Sequence, residues 1–341
     1  MATVWEAQQH DPERRVAVKI LNDDISSRPE DVEAFYAEAK TAGLLDHENI
    51  VTVFEVGCQA GRYYYVMELA KGYDTGKWLA RKGKLVEEDV LTVAESVAVA
   101  LDYAEQTIGI IHCDIKPGNI MVDGDGTVRI TDMGIARFIK GGDACDFISG
   151  TPSYMSPEQA TGVADLDVRA DIYSLGATIY HLLSGRALFA GKSDEEIFEC
   201  QCTDQVTDIR EMNPEVSDAC AVMLAKFLAK DRENRPRGWD EAIADIRAVL
   251  ATEETPGAAQ LLGLDHFAHP STMHLDGPEG ELVADDGKDE AGPEGADGDE
   301  TLRGVSNVPH GAGSGGSPFF WPVVAVLAVA AFAAAFFLAS R

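Results

Sequence analysis

The sequence predicts an α+β fold in which a small β-rich part precedes a larger helical part. Short segments of alternating apolar residues, separated by polar turns, fill much of the chain up to Met67. From Val86 onward, apolar residues recur at helical spacing and form the face of a long helix. After residue 252 the composition becomes acidic and rich in Gly and Pro, which separates the folded part from a tail.

The β-rich part contains four predicted strands and one predicted helix. The strands are predicted over residues 1–7, 16–21, 51–56 and 63–67, the helix over 29–45, and turns over 8–15 and 59–62. The helix is indicated by Val32, Phe35 and Tyr36, which begin a set of apolar residues at helical spacing. The helical part that follows is expected to bury most of the core.

A polar loop over residues 112–119 lies between two buried segments in the middle of the chain. An apolar run leads into it, and the sequence after it predicts two short strands around a turn at residues 123–126. Asp114, Lys116 and Asn119 supply a carboxylate, an ammonium and an amide, the groups that can surround a transferring phosphoryl group. Alone, the pattern equally fits a polar loop before a hairpin.

Two further motifs accompany this loop in a fixed order. Val16-Ala17-Val18-Lys19 lies upstream on a predicted strand, and Thr131-Asp132-Met133-Gly134 follows another strand downstream. The set resembles the protein kinase family, specifically the eukaryotic-like serine/threonine kinases of bacteria, over residues 1–252. This resemblance implies a two-lobed protein kinase fold with a small β-rich N-lobe and a large helical C-lobe.

The resemblance also implies an ATP site in the N-lobe and in the segment that follows it. Lys19 would hold the α- and β-phosphates and form an ion pair with Glu38. Residues 45–51 closely match the family's sequence downstream of this glutamate, whereas the alternative for Glu38 is an exposed helix charge. The other residues that the resemblance places at the nucleotide are Val4, Ala17, Glu68 and Leu69.

The catalytic roles follow from the same resemblance. Asp114 would orient and deprotonate the substrate hydroxyl, and Lys116 would stabilise the transferred group. Asn119 and Asp132 would bind the Mg²⁺ or Mn²⁺ that bridges the ATP phosphates. Met133 stands where the family has Phe, which exchanges one large apolar side chain for another.

Three residues are expected to support the site without taking part in the chemistry. Glu158, in a Ser-Pro-Glu motif that resembles the family's Ala-Pro-Glu, is expected to pair with Arg235. That ion pair would be structural. Asp171 resembles the aspartate that holds the backbone of the catalytic loop, so its expected role is support and not chemistry.

The activation segment is predicted over residues 135–155. It contains Ser149, a candidate phosphorylation site, and Thr151, which is expected to contact Asp114 as part of the substrate-docking loop. Cys113 stands where most family members carry an Arg that binds a phosphate on this segment. Because a thiol cannot pair with phosphate as a guanidinium does, we expect basal activity that does not depend on such a phosphate.

The N-terminus departs from the family pattern. Met1 falls where the family's glycine-rich loop ends, so the N-lobe is expected to lack its first strand and the loop that covers the phosphates. The strand near Ala2 would then expose its own pairing groups, and the chain as given should bind ATP weakly. We favour a native start upstream of Met1 over a true loss of the loop, because Val4 to Lys19 keep the family's spacing.

The tail has two predicted parts. Residues 253–318, where Asp and Glu far outnumber Lys and Arg, are predicted to form a disordered linker. Residues 319–338 contain no charge, and a helix of that length spans about 30 Å, the thickness of a bilayer's hydrocarbon core. We expect a single-pass anchor in the cell inner membrane, with the kinase domain over residues 1–252 in the cytoplasm, where ATP is found.

The leading hypothesis is ATP-dependent phosphorylation of serine or threonine hydroxyls on protein substrates by a membrane-anchored signalling kinase. Self-association for autophosphorylation is expected as well. A formal net charge of −30 argues against a nucleic-acid partner. The alternative is a membrane-tethered pseudokinase scaffold with weak or no phosphoryl transfer, which the missing glycine-rich loop favours and the intact Lys19, Asp114 and Asp132 oppose.

Overall fold

The structure, a computed structural model, has a β-rich N-lobe followed by a mainly helical C-lobe, as predicted. It describes residues 2–23, 26, 28–132, 137–138 and 150–252. Ser149, Met133 and Gly134 lie outside the described residues, and so do the predicted linker over 253–318 and the predicted membrane helix over 319–338. Among the helices that the structure does describe, none is both long and apolar enough to cross a membrane.

The N-lobe is one antiparallel sheet with a helix packed on it. Its elements are β1 (Ala2–His10), β2 (Glu13–Leu21), α1 (Pro29–Ala42), β3 (Val53–Gln59) and β4 (Arg62–Glu68). The strand order is β1-β2-β4-β3, so β1 and β3 lie at the edges of the described sheet. β1 therefore has a paired strand on one side, as was expected for the strand near Ala2.

The turn between the first two strands is much tighter than predicted. A turn was predicted over residues 8–15, but β1 continues to His10 and β2 begins at Glu13, with Asp11 and Pro12 between them. Polar pairs hold this extension: Arg15 forms an ion pair with Glu6, and Arg14 donates to Gln9 at 2.6 Å. These cross-strand pairs stabilise a ribbon without any alternation of apolar residues, so the prediction was wrong there.

Helix α1 is bounded by local signals. Pro29 occupies the first turn, where its missing N–H costs nothing, and Glu30 and Asp31 lie at the positive end of the helix dipole. The helix ends at Ala42, three residues before the predicted end, because the chain turns at Gly43 and inserts Leu45 into the core of the C-lobe. The buried face of α1 packs against the sheet through Phe35 and Ala39.

The C-lobe contains most of the buried residues. Its helices are α2 (Thr75–Lys82), α3 (Glu87–Ile108), α4 (Pro157–Ala160), α5 (Val168–Ser184), α6 (Asp194–Thr203), α7 (Ile209–Met212), α8 (Asp218–Phe227) and α9 (Trp239–Thr252). Its short strands are β5 (Tyr73–Asp74), β6 (Ile110–Ile111), β7 (Ile120–Val122), β8 (Val128–Ile130) and β9 (Arg137–Phe138). The predicted long helix after Val86 and the predicted strand pair around residues 123–126 are both confirmed.

Two helices of the C-lobe position the functional loop. α5 is buried on almost every side, which is the pattern of a helix in the centre of a core. α3 packs against both α5 and α9 and ends at Gly109, whose φ of 67° is a conformation that glycine adopts without strain. The chain then passes through β6 into the polar loop over residues 112–119, directly beside α5.

Candidate active site

Asp114 is the centre of a compact hydrogen-bonded group. Its Oδ1 accepts from the backbone N–H and the hydroxyl of Thr151, at 3.1 and 3.0 Å. Its Oδ2 accepts from the Lys116 ammonium at 2.7 Å and from the Asn119 amide at 3.1 Å. Lys116 also donates to the Thr151 hydroxyl at 2.8 Å. The predicted contact between Thr151 and Asp114 is therefore present in the structure.

The backbone that carries Asp114 is held from α5. Asp171 accepts hydrogen bonds from the N–H groups of His112 and Cys113, at 2.6 and 2.8 Å. Complete burial raises the pKa of Asp171, and the two N–H donors act in the opposite direction. Cys113 has a φ of 68°, a strained value for a residue with a side chain, and its carbonyl accepts from Gln159 at 2.9 Å. These bonds on both sides of Cys113 fix the unusual backbone.

A second charged group joins the two lobes. The Lys19 ammonium on β2 lies 2.7 Å from Glu38 Oε1 on α1 and 2.8 Å from Asp132 Oδ1 after β8. Burial alone would lower the pKa of Lys19, but the two carboxylates raise it above its ordinary value. Glu38 is thus a paired group and not an exposed helix charge. Asp132, whose side chain is 42% exposed, has a φ of 58°.

Tyr65 on β4 completes this group, although no pattern in the sequence indicated it. Its hydroxyl donates to Glu38 Oε1 at 2.7 Å, and its ring lies near the Lys19 ammonium. Burial and the Glu38 carboxylate both raise the pKa of Tyr65, so the hydroxyl stays a donor. The strand register explains why Tyr65 lies in this group, because Tyr65 stands directly opposite Lys19 in the sheet.

The strand register gathers the predicted nucleotide residues of the N-lobe on one face. Val4 is paired with Lys19, and Ala17 lies two positions from Lys19 on the same strand, so all three side chains point to the same side. Val4 is 54% exposed, whereas Ala17, which stands opposite Glu6, is buried. This arrangement leaves an open apolar surface beside the Lys19 ammonium, where a flat aromatic group can pack.

Glu68 and Leu69 lie where β4 ends and the chain passes to the C-lobe. The Glu68 N–H donates to the Thr52 carbonyl at 2.8 Å, and its carboxylate pairs with Arg129 at 3.3 Å. The donor of Glu68 is therefore occupied within the protein, so a backbone contact from this residue to a ligand would use its carbonyl. Leu69 is partly buried against the core of the N-lobe.

Asn119 and Asp132 offer oxygen atoms on the same side of the C-lobe hairpin. Asn119 donates through its amide nitrogen to the Asp114 carbonyl at 2.9 Å, which leaves its side-chain oxygen as the atom that can face a cation. Carboxylate and amide oxygens suit Mg²⁺, which usually keeps several waters and takes only one or two carboxylates. Within the described ranges no group of three or more metal-ligating His, Cys, Asp or Glu residues occurs. The donor set therefore fits a cation whose remaining ligands come from water and a phosphate-bearing ligand.

The predicted pair between Glu158 and Arg235 is also present. Two N–H groups of Arg235 donate to the two carboxylate oxygens of Glu158, at 2.6 and 3.0 Å. The side chain of Arg235 is fully buried, and its guanidinium lies over the Tyr173 ring with 4.9 Å between the Cζ atom and the ring centroid. This pair links α4 to the segment between α8 and α9.

Comparison with known proteins agrees with this geometry. Residues 1–245 match the family model described as protein kinase domain. The chain is 33% identical over 252 residues to the serine/threonine-protein kinase PrkC of Bacillus subtilis, covering 73% of this chain and 39% of PrkC. It is 39% identical over 198 residues to the serine/threonine-protein kinase PknA of Mycobacterium tuberculosis, covering 56% of this chain and 46% of PknA.

The region shared with each of these two relatives spans less than half of the relative's own length. The family match, in contrast, covers most of the present chain and includes both lobes. The matched residues include Lys19 and Asp132, which form an ion pair, and Asp114 and Lys116, which are hydrogen-bonded to each other. The chain belongs to the protein kinase family, among the eukaryotic-like serine/threonine kinases of bacteria.

Proposed function

We propose that this chain transfers the γ-phosphoryl group of ATP to serine or threonine hydroxyls of proteins. The observation that carries the proposal is the group around Asp114, where one carboxylate contacts Lys116, Asn119 and Thr151 at once. The Asp114 carboxylate can receive a hydroxyl proton while the Lys116 ammonium lies 2.7 Å away. Catalysis would consist mainly of positioning and electrostatic stabilisation, as phosphoryl transfer requires.

On the substrate side, we assign Asp114 to orient the hydroxyl and accept its proton. Lys116 is assigned to neutralise charge on the transferred group, because its ammonium already bridges Asp114 and Thr151. Asp114 is largely buried, with a side-chain exposure of 10%, which strengthens its interactions relative to water. Thr151 then marks the place where a substrate chain would approach, and its bond to Lys116 supports serine or threonine as the acceptor.

On the nucleotide side, we assign Lys19 to the α- and β-phosphates, with Val4 and Ala17 against the adenine. Glu38 and Tyr65 hold the ammonium in position from the other side. Asn119 and Asp132 would hold Mg²⁺ or Mn²⁺, and the cation would supply neutralisation of the phosphate charge. The family of the chain supports the use of ATP and a divalent cation in general.

The alternative, a pseudokinase scaffold that transfers nothing, has less support. PrkC and PknA, the two relatives described above, are both named as serine/threonine-protein kinases. The charged groups of the site are also assembled here in bonding contact, although a scaffold would not need them together. Protein substrates, self-association and autophosphorylation belong to the proposal as well.

We further propose that residues 1–252 are the catalytic domain, that 253–318 are a tether, and that 319–338 anchor the chain in a membrane. The uncharged stretch over 319–338 supports the anchor, and ATP supports a cytoplasmic position for the catalytic domain. Deletion of residues 319–341 should move the chain from the membrane fraction to the soluble fraction. A truncated chain that stays in the membrane fraction would contradict the anchor.

The decisive experiment replaces the carboxylate of Asp114 by an amide. In Asp114→Asn the side chain keeps its size but loses its basicity, so the rate of phosphate transfer from radiolabelled ATP to myelin basic protein should fall by about 10²–10⁴. The matched control is Asp125→Asn, the same change in the exposed turn before β8, which should leave the rate unchanged. Equal rates for Asp114→Asn and the wild-type chain would overturn the assignment.

A further inference from the structure

A buried glutamine lies beneath the turn that follows Thr151. Gln201 on α6 has no exposed surface, and its amide nitrogen donates to the Pro152 carbonyl at 3.0 Å. Pro152 begins a 3₁₀ turn over Pro152–Tyr154, and the Tyr154 N–H returns to the Thr151 carbonyl at 2.9 Å. Gln201 therefore contacts the backbone one residue away from the threonine that touches Asp114.

The other end of the Gln201 amide is also bonded. The Tyr173 hydroxyl on α5 lies 2.6 Å from Gln201 Oε1 and 2.9 Å from the Lys230 ammonium. An ammonium can only donate, so the hydroxyl oxygen accepts from Lys230 and its single proton goes to Gln201. The directions are thus fixed along the whole series, from Lys230 through Tyr173 and Gln201 to Pro152.

Burial gives this series a definite geometry. Tyr173 and Gln201 are both fully buried, so each of their polar atoms needs its partner to avoid the cost of an unsatisfied group. A fully satisfied buried network favours one arrangement of the elements that it joins, here α5, α6 and the turn after Thr151. The position of this turn then determines the distance of Thr151 from Asp114 and Lys116.

We propose that Gln201 is a positioning residue for the protein substrate, acting through the Pro152 carbonyl on the turn that would receive the substrate chain. This inference rests on the proposed kinase function, since the turn matters only if a substrate hydroxyl reaches Asp114. Gln201 is not in contact with the nucleotide residues of the N-lobe. Its loss is therefore expected to weaken the apparent affinity for protein substrate and to leave the apparent affinity for ATP unchanged.

Lys230 gives the series a pH dependence. Burial lowers the pKa of Lys230 to about 8, and the charged or titratable groups around it are Arg235, Cys200, Cys202 and Asp204, besides Tyr173. Arg235 is itself neutralised by Glu158. When Lys230 loses its proton, the neutral amine can accept a hydrogen bond from the Tyr173 hydroxyl, and Gln201 Oε1 then loses its donor. The KM for protein substrate should consequently rise above pH 8.

The test compares the full wild-type chain in detergent micelles with Gln201→Met, which keeps the volume but removes both hydrogen bonds. With myelin basic protein as the substrate, Gln201→Met should raise the protein KM about tenfold, equivalent to about 1.4 kcal/mol, with the KM for ATP unchanged. The matched control is Glu199→Gln on the exposed side of α6, which should change neither value. Tyr173→Phe combined with Gln201→Met should add little to Gln201→Met alone, because the two act in one series.

Two further measurements separate positioning from general loss of structure. Hydrogen exchange of the peptide that contains residues 152–155 should accelerate in Gln201→Met, while the peptides of α3 remain as protected as in the wild-type chain. The rise of the protein KM between pH 7 and pH 9 should be present in the wild-type chain and absent in Lys230→Met.

The outcomes distinguish this inference from the function on which it rests. An active wild-type chain with the same protein KM as Gln201→Met would overturn the role of Gln201 and leave the kinase assignment intact. A tenfold rise of both KM values together would also overturn it, because that result indicates a general loss of structure. A wild-type chain that transferred no phosphate would contradict the proposed function and this inference together.

Discussion

The groups of Arg235 and of Lys19 each bring a largely buried cation together with carboxylates, and they differ in how many of the cation's donors are already bonded within the protein. Arg235 directs all five of its N–H donors at acceptors within the C-lobe. Two of these bonds go to Glu158 and the other three to backbone carbonyls. The guanidinium has no donor left for a ligand, so this group can only hold the structure together.

Lys19 is in the opposite situation. Its ammonium contacts Glu38 and Asp132, which belong to different lobes, and the Asp132 side chain is 42% exposed. An incoming phosphate can replace the Asp132 contact without uncovering a buried charge. Burial and pairing alone therefore do not identify a functional ion pair, whereas a partner that can be exchanged for a ligand does.

The largest expected effect is on the stability contributed by the pair of Arg235 and Glu158. Arg235→Met leaves the Glu158 carboxylate buried without its partner, so the free energy of unfolding should fall by about 3–5 kcal/mol. Urea denaturation followed by circular dichroism measures this value. The double variant Glu158→Met and Arg235→Met should recover part of the loss, because it removes the uncompensated charge. If Arg235→Met were as stable as the wild-type chain, Arg235 and Glu158 would not have the structural role assigned to them.

Replacement of Lys19 should have the reverse effect, a large loss of activity with a small loss of stability. Lys19→Met removes a charge that would contact the phosphates, so kcat/KM for ATP should fall by about 10²–10³. The free energy of unfolding should change far less than in Arg235→Met, because Glu38 keeps its bond from Tyr65. Enzyme kinetics and urea denaturation of the same preparation measure the change in kcat/KM and the change in the free energy of unfolding. A large loss of stability with normal turnover would reverse the roles of the two groups.

A smaller effect on stability is expected for Lys230, the cation near Arg235. Lys230 has no carboxylate within ion-pair distance among the residues that the structure describes, and burial lowers its pKa from 10.5 to about 8. Between these pH values the unfolded chain binds more protons than the folded chain, so the stability contribution of Lys230 rises with pH. Lys230→Met should therefore gain stability relative to the wild-type chain at pH 7, and lose that advantage by about pH 10. A difference that does not change with pH would contradict this prediction.

The smallest effect is expected at Cys113. Phosphatase treatment should change basal activity by no more than about twofold, because a thiol offers no charge-assisted contact to a phosphate on the activation segment. The comparison is the same treatment of Cys113→Arg, in which an effect of the phosphate can appear. A large loss of activity in the wild-type chain would contradict this prediction, because it would show that another side chain binds the phosphate.

The order of the elements and the main site residues could be predicted from the sequence. Motifs such as the loop of Asp114 place their polar groups a few residues apart, so their proximity is almost independent of the rest of the fold. The ion pair of Lys19 and Glu38 was also predictable, because the sequence after Glu38 fixes the position of that residue on its helix.

Other features have no local signal. The ribbon up to His10 is held by polar cross-strand pairs, which the alternation of apolar residues does not show. The series of Tyr173, Gln201 and Lys230 brings together three separate segments, and no spacing within any one of them indicates it. Tyr65 could be identified only after the register of β2 and β4 was known.

Asp171 links the catalytic loop to the centre of the C-lobe, and this has a consequence for the response to heat. The conformation at Cys113 is maintained by a carboxylate on α5, which is buried along most of its length, so we expect the loop to keep its shape as long as α5 stays folded. Activity and core structure should therefore disappear in one cooperative transition, with no temperature range in which an intact fold carries a disordered catalytic loop. The working temperature of the enzyme is then set by the melting of its helical core.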